Sequence, residues 1–316
     1  MILSEQDYAP VFIPTLCRYE HFKRCVDSLS RCIGAKYTTL IIGLDYPLKE
    51  IHWEGYHKIK EYIPSISGFK EVIVLERTEN YGSKRNGDEA FKYIYDRYDR
   101  MILTEDDNEF SPNFLEYINK GLIQYKNNPN VFAICGYMYP FDIHMDNNNA
   151  FWGTGYSAWG TGLWRDKHLK IRTSFNKHGI EEILNSWHKS FLLFINSPKD
   201  LNSLMTMCSK NLIWGDVLIC SMCFLENRGS IFPVKSKVRN WGDDGSGLHS
   251  IRNLGLSRQE IDNNDTFDYH MVNTELKRFT PHKLPFWIKG LIICRYLFYR
   301  LTRKDLLAYH YNNRRE

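Results

Sequence analysis

The sequence predicts an α/β protein with a mostly parallel central sheet of Rossmann-like type, flanked by helices. Three observations predict it. Short, continuously apolar runs recur through the first 140 residues, as strands buried on both faces require. Stretches with apolar residues at helical spacing lie between them. Several of the runs end on polar or acidic residues, where sheets of this kind hold their ligands.

In chain order, Val11-Phe12-Ile13 is the first strand, closed by Pro14, and Phe22, Val26, Leu29 and Ile33 mark the helix after it. Leu40-Ile41-Ile42 runs into Gly43-Leu44-Asp45 as a second strand. A polar helical stretch follows, and Val72 to Leu75 is a third strand. A turn at Asn80-Tyr81-Gly82-Ser83 leads into a helix carrying Ala90, Phe91, Ile94, Tyr95 and Tyr98. Met101-Ile102-Leu103 is a fourth strand and ends in Glu105-Asp106-Asp107. Phe114, Ile118 and Leu122 continue as a helix, and Val131 to Ile134 is a fifth strand. Beyond residue 140 the alternation stops. Residues 141–170 read as loop, Glu181 to Ile195 and Asp216 to Asn227 as helices, and 235–275 as polar and glycine-rich.

Composition narrows the function classes. A net charge of +4, with both signs interspersed, excludes a dedicated nucleic-acid surface. Aromatic residues make up 15% of the chain, an excess suited to stacking on sugars or bases. The eight cysteines lack the paired spacing of a zinc site and read as buried free thiols. Met1 to Asp7 lacks the basic and apolar regions of a signal peptide, and no apolar run is long enough for a membrane span. The expected location is therefore cytoplasmic.

Glu105-Asp106-Asp107 is the sharpest local feature. Three adjacent carboxylates repel one another after a buried strand, and a hard divalent cation with phosphate ligands relieves that repulsion. A solvated acidic turn before the helix near Ser111-Pro112 is the alternative. Asp45 ends a strand, as a base- or ribose-reading carboxylate or as a turn residue before Pro47. Arg18 follows Pro14-Thr15 near a helix N-terminus suited to phosphate. Lys84 and Arg85, after the Asn80 turn, are placed to meet a diphosphate or to form a solvated basic loop.

In this order, Pro14-Thr15-x-x-Arg18, Gly43-Leu44-Asp45, Asn80-x-Gly82 and Glu105-Asp106-Asp107 resemble a GT-A glycosyltransferase over roughly residues 8–250. The likeness is to bacterial polysaccharide enzymes of the inverting glycosyltransferase family 2, and the acidic motif is also similar to that of N-acetylglucosaminyltransferase I. The resemblance implies a hexosyl- or N-acetylhexosaminyltransferase with a nucleotide-sugar donor, UDP-linked, and Mn²⁺ or Mg²⁺ as cofactor. It implies nucleotide contacts from Thr15, Arg18, Asp45, Asn80, Lys84, Arg85 and Asp106. Asp107 would bind the metal, joined by His249, while Glu105 in place of the usual first Asp leaves the exact ligand set open.

Trp159-Gly160-Thr161-Gly162-x-Trp164 resembles the family's segment beside donor sugar and acceptor, with Trp164 equally suited to the core. Asp216, opening a helix, would be the general base; an N-cap role is the alternative, and Asp243 and Asp244 are its rivals. Asn240-Trp241-Gly242-Asp243-Asp244 to His249, a glycine-rich run with acids, resembles the segment that closes over the donor. The implied organisation is a nucleotide-sugar-binding half, 1–140, an acceptor-binding and catalytic half of the same domain, 141–280, and a basic amphipathic helical tail, 281–316. From Phe286 to Leu301 aromatics and aliphatics alternate with Lys and Arg, which reads as a helix on anionic lipid, a packed helix or a homodimer contact. The expected acceptor is a saccharide or lipid-linked glycan in surface polysaccharide synthesis, O-antigen or capsule, at the inner face of the plasma membrane.

Two rivals stand beside this reading. A nucleotidyltransferase shares such a framework but carries a glycine-rich loop after its first strand, where this chain has Pro14-Thr15-Leu16-Cys17-Arg18. A non-catalytic glycan-binding module would also account for the aromatics.

Overall fold

Burial on both faces explains the uninterrupted apolar runs. The strands β1 (Val11–Thr15), β2 (Thr39–Leu44), β3 (Glu71–Val74) and β4 (Arg100–Leu103) are parallel and lie in the order β3-β2-β1-β4. Every residue of β2 is buried. The helices α1 (Tyr19–Ser30), α2 (Trp53–Tyr62) and α3 (Gly82–Tyr95) follow β1, β2 and β3 in turn. Strand order reverses at β1, with β2 on one side and β4 on the other. Such a reversal opens a crevice beyond the carboxyl ends of the two central strands. The computed structural model describes residues 1–139, 148–174, 176–245, 260–271, 275–277 and 284–303.

The sheet extends past β4 in a way the sequence did not announce. After β5 (Asn108–Phe110), α4 (Phe114–Gln124) and β6 (Val131–Cys135) come β7 (Ala150–Gly153) and β8 (Thr161–Trp164), inside the stretch expected to be loop. β8 lies antiparallel between β4 and β6, with Met101 and Ala133 both opposite Leu163. β9 (Gly229–Pro233) completes an eight-stranded sheet ordered β3-β2-β1-β4-β8-β6-β9-β7. β10 (Val238–Asn240) pairs with β5 as a separate antiparallel ribbon.

Two tryptophan-segment expectations change here. Trp164 is wholly buried, and its indole N–H donates to the Leu122 carbonyl at 3.0 Å, so its faces are spent on the core rather than on a sugar. Gly160 has φ +68°, and a Cβ there would lie 2.7 Å from Val238 and 2.8 Å from Phe114. The glycine therefore admits neighbouring side chains of the protein, not a ligand.

The chain divides into two compact units. The first comprises Met1–Trp152, Ser157–Asp166 and Ser230–Glu275 and contains the sheet; the second comprises Gly153–Tyr156, Lys167–Gly229 and Leu276–Glu316. This division differs from boundaries at 140 and 280, because the C-terminal helix belongs with residues 167–229. The second unit is helical: α5 (Arg165–Arg172) leads into it, followed by α6 (Lys177–Asn185), α7 (Trp187–Asn196), α8 (Pro198–Lys210), α9 (Gly215–Leu225) and α10 (Phe286–Thr302). The single helix expected from Glu181 to Ile195 is two, broken at Ser186, whose hydroxyl accepts from the Lys189 N–H at 3.2 Å and caps α7. Leu184, Leu193, Leu204, Leu218, Tyr296 and Tyr299 lie in one core. All eight cysteines are free thiols, but only five are buried: Cys17 and Cys220 are partly accessible and Cys294 is exposed.

Replacing Trp164 by Ala should lower unfolding stability by about 3–5 kcal/mol, the usual cost of deleting a buried indole. Denaturant titration checks this; a ligand-stacking tryptophan would leave stability nearly unchanged.

Candidate active site

The crevice beside β1 and β4 gathers charge. Thr15 is the last residue of β1, and its hydroxyl donates to Asp106 Oδ2 at 2.9 Å. Arg18 stands at the N-cap position of α1, three residues further on, and reaches back over the strand end. Its guanidinium donates to Asp107 Oδ2 at 2.8 Å and to Asp106 Oδ1. Both aspartates are buried. A buried carboxylate pair without a cation would be prohibitively costly, so Arg18 is what lets the acidic motif sit there. Although burial pulls it down, Asp106 and Asp107 hold the Arg18 pKa above its ordinary value. In this arrangement the guanidinium faces carboxylates, where the sequence suggested base or diphosphate.

The start of the segment expected to close over the donor completes the cluster. Asn240, on β10, donates from Nδ2 to Asp107 Oδ1 at 2.7 Å. The Trp241 amide donates to the Asp107 carbonyl at 2.8 Å. A Cβ on Gly242 would lie 2.4 Å from Asp107 Oδ2, so only glycine lets this turn press against the carboxylate. Asp243 and Asp244 follow in the same turn, and Asp244 Oδ2 lies 2.8 Å from His21 Nε2. The ribbon of β5 and β10 thus brings the 241–244 turn to the acidic motif.

Glu105 is half-buried, and Trp159 Nε1–H donates to its Oε2 at 3.2 Å. Burial first, then Asp107 and Asp106, push its pKa from 4.5 up to about 8, against the pull of Arg18 and the indole. Burial also raises Asp106, with Arg18 opposing. The Trp159 ring stands edge-on to Tyr137 at 4.6 Å between centroids. The Tyr137 hydroxyl is buried and has no hydrogen-bond partner among the described residues. An unsatisfied buried hydroxyl carries a desolvation cost that a ligand group can remove.

Other expected site residues hold the scaffold. Asp45 is buried, and its Oδ1 accepts from the amides of Tyr46 at 2.9 Å and Tyr81 at 2.8 Å. Asn80 donates to the Tyr46 carbonyl at 2.6 Å. Together they fasten the end of β2 to the start of α3. Gly82 and Ser83, expected as turn, already belong to that helix. Lys84 pairs with Asp88, and Arg85 pairs with Glu79 while stacking on Tyr81, all at the exposed start of α3. Trp241 has the guanidinium of Arg24 at 4.8 Å from its ring centre and gives its indole N–H to Glu109. Asp216 is the second residue of α9, exposed, and makes no N-cap bond, so the capping alternative does not apply. It belongs to the second unit, whereas Asp243 and Asp244 share the first unit with the acidic motif. His249 lies outside the described residues. Part of the stretch read as polar and glycine-rich, 235–275, is packed: Phe267 stands edge-on to Tyr117, Tyr269 lies tilted against the same ring, and Asp262 pairs with buried Lys237.

The donor set suits a hard divalent cation, since the motif offers only carboxylate oxygens and one guanidinium against three acids. No group of three or more His, Cys, Asp or Glu side chains forms a metal cage among the described residues. A cation here would take most of its ligands from a bound phosphate compound.

Neither a protein-family model nor a curated protein sequence matches the chain. Solved structures show partial likeness. A mannosyltransferase from Pyrobaculum calidifontis, in complex with GDP-Man and Mn²⁺, aligns at 13% identity over 52% of this chain and 46% of that one, with a TM-score of 0.38. S. aureus TarS (residues 1–349) aligns at 9% identity over 73% and 59%, with a TM-score of 0.43. GalNAc-T7 with UDP, GalNAc and Mn²⁺ aligns at 11% over 73% and 43%, with a TM-score of 0.43. The chain spans less than two thirds of the length of each of these structures.

Two outcomes follow from the cluster. Because Glu105 binds its proton more tightly when folded, its contribution to stability falls as pH rises from about 4.5 to about 8. Glu105→Gln should therefore raise the melting temperature more on the alkaline side of that window than on the acid side, measured by calorimetry. Gly242→Ala should displace the Asp107 carboxylate and cost roughly 1–3 kcal/mol of stability, read by denaturant titration.

Proposed function

We propose that the chain is a metal-dependent GT-A glycosyltransferase, moving a sugar with inversion from a nucleotide-diphosphate donor, UDP-linked, to a saccharide or lipid-linked glycan. The observation that carries this reading is the convergence of Thr15, Arg18, Asp106 and Asp107 at the crevice where the strand order reverses. Asp107, with Glu105 beside it, would hold Mn²⁺ or Mg²⁺. The bound cation would neutralise charge growing on the departing nucleoside diphosphate.

The chain's own groups do the rest. Thr15 and Arg18 hold Asp106 in one orientation, to accept from a ribose or sugar hydroxyl. Tyr137 offers a buried hydroxyl to a sugar beside Trp159. Asp216, on the first turn of α9, takes the proton from the acceptor hydroxyl; the helix N-terminus favours the ionised state this needs. A second reading gives that role to Asp243, because its turn is bonded to Asp107 through the Trp241 amide. The site of action is the inner face of the plasma membrane, in O-antigen or capsule assembly. Only Leu16, Cys17 and Arg18 separate β1 from α1, too short and glycine-free a link for a nucleotidyltransferase phosphate loop.

Calorimetric titration of UDP with and without Mn²⁺, beside mass spectrometry of products from a panel of nucleotide sugars, tests the proposal. Asp107→Ala should lose both metal-dependent UDP binding and transfer. Asp216→Asn should lose roughly a hundredfold or more of the rate while keeping UDP affinity. Full activity in Asp216→Asn with loss in Asp243→Asn moves the base to Asp243. Absence of metal-dependent UDP binding in the unaltered protein would leave a glycan-binding module as the better reading.

A further inference from the structure

α10 is apolar all round. One face is built into the second unit: Ile292, Tyr296 and Tyr299 enter its core, and Arg295 donates to Asn202 at 2.6 Å and Thr206 at 2.9 Å on α8. The opposite face carries Phe286, Trp287, Leu291, Ile293, Leu297 and Leu301, with Phe286 90% and Leu301 85% exposed. A helix already fastened by one face does not need the other to be apolar. No helix among the described residues is long and apolar enough to cross a membrane.

A second stripe runs along α7, where Trp187, Phe191 and Ile195 recur every fourth residue and are 57%, 61% and 51% exposed. The helices meet where Trp187 stands edge-on to Tyr296 at 5.7 Å and the Arg300 guanidinium lies 4.5 Å from the Trp187 ring centre. Lys289 lies about three turns before Arg300 on the same line of α10. Neither α7 nor α10 carries an Asp or Glu, while they bear Lys189, Lys289, Arg295 and Arg300. Adjacent Glu182 pairs with Lys189.

We propose that α7 and α10 together form a docking face for an anionic lipid bilayer, with Trp187, Phe191, Trp287 and Leu291 entering the headgroup boundary and Lys289 and Arg300 meeting lipid phosphates. Charge selects this occupant: two copies of the chain placed face to face would oppose cation to cation, whereas an anionic surface complements them. Tryptophans at the edge of an apolar face are suited to the membrane–water boundary. The proposal deepens the membrane placement given above and rests on that part of it alone.

The full chain is sedimented with phosphatidylcholine vesicles with and without phosphatidylglycerol, at low and high salt. Binding should require phosphatidylglycerol and weaken at high salt. Lys289→Glu should reduce partitioning roughly tenfold, and the combined Phe191→Ser, Trp287→Ser and Leu291→Ser variant should abolish it, with circular dichroism unchanged. Equal or absent binding to both vesicle types overturns the proposal. So does a dimer, seen by light scattering, that the triple variant dissolves, since the face would then belong to a second copy. Vesicle binding is read without sugar transfer, so its failure leaves the transfer reaction standing, and the reverse holds as well.

Discussion

The contact between Arg18 and the Asp106–Asp107 pair governs the first unit. It joins the start of the helix after β1 to the residues after β4, across the reversal in strand order. Two carboxylates buried side by side without a counter-charge would be driven toward protonation or out of the fold. With Arg18 between them they stay at the crevice, and other elements are placed to suit. Thr15 supplies a hydroxyl from the strand end, Asn240 an amide from the β5–β10 ribbon, and Gly242 the absence of a side chain. The one acid with no cation of its own, Glu105, shows the residual strain as a pKa of about 8. A site with excess buried negative charge is poised for a cationic ligand, which ties fold to function without any appeal to likeness.

The second unit solves a different problem. Its core is made by α6 to α10 packing through leucine, methionine and tyrosine, and α10 is indispensable to it rather than appended. Tyr296 donates to the Leu184 carbonyl at 3.1 Å, and Arg300 and Arg303 reach Asn185, so the last helix closes the exposed end of α6. What read as a free basic tail is half core and half surface. Arg295 is buried against Asn202 and Thr206 of α8, and Arg300 donates to the Leu184 carbonyl at the end of α6.

The parts legible in the sequence were those where local pattern and tertiary role coincide. β1, β2 and β6 read as continuous apolar runs because both faces are covered. Glu105-Asp106-Asp107 read as a site because adjacent charges after such a run demand a reason. β8 did not read as a strand, since Gly160 just before it and Gly162 within it serve close packing against Phe114, Val238, Ile118 and Leu122. Leu201, Leu204, Met205 and Cys208 do carry helical spacing, and α8 could have been found from it and from Pro198 at its first turn. Tyr137 had no such signal. Asn240 and Gly242 lie in a segment that stood out for its glycines and acids, but Asn240 meets Asp107 across 133 residues, and nothing local in Asn-Trp-Gly marks that encounter.

The aromatic surplus divides along the same physical line. Trp164, Tyr117 and Phe267 are packing residues, and Trp241 is hemmed by Arg24 and Arg239, so these aromatics stabilise the protein rather than lining a sugar site. Trp159 differs because its indole N–H is given to Glu105, which makes an aromatic residue part of the electrostatics of the crevice. Trp187 and Trp287 differ again, being large, apolar and exposed on a unit whose core is already complete. Exposed indole at that density carries an aggregation cost in water. Such a cost is retained only where the surface is covered in use, so the aromatic count that first suggested ligand stacking points more strongly to a face of the helical unit than to the crevice beside β1 and β4.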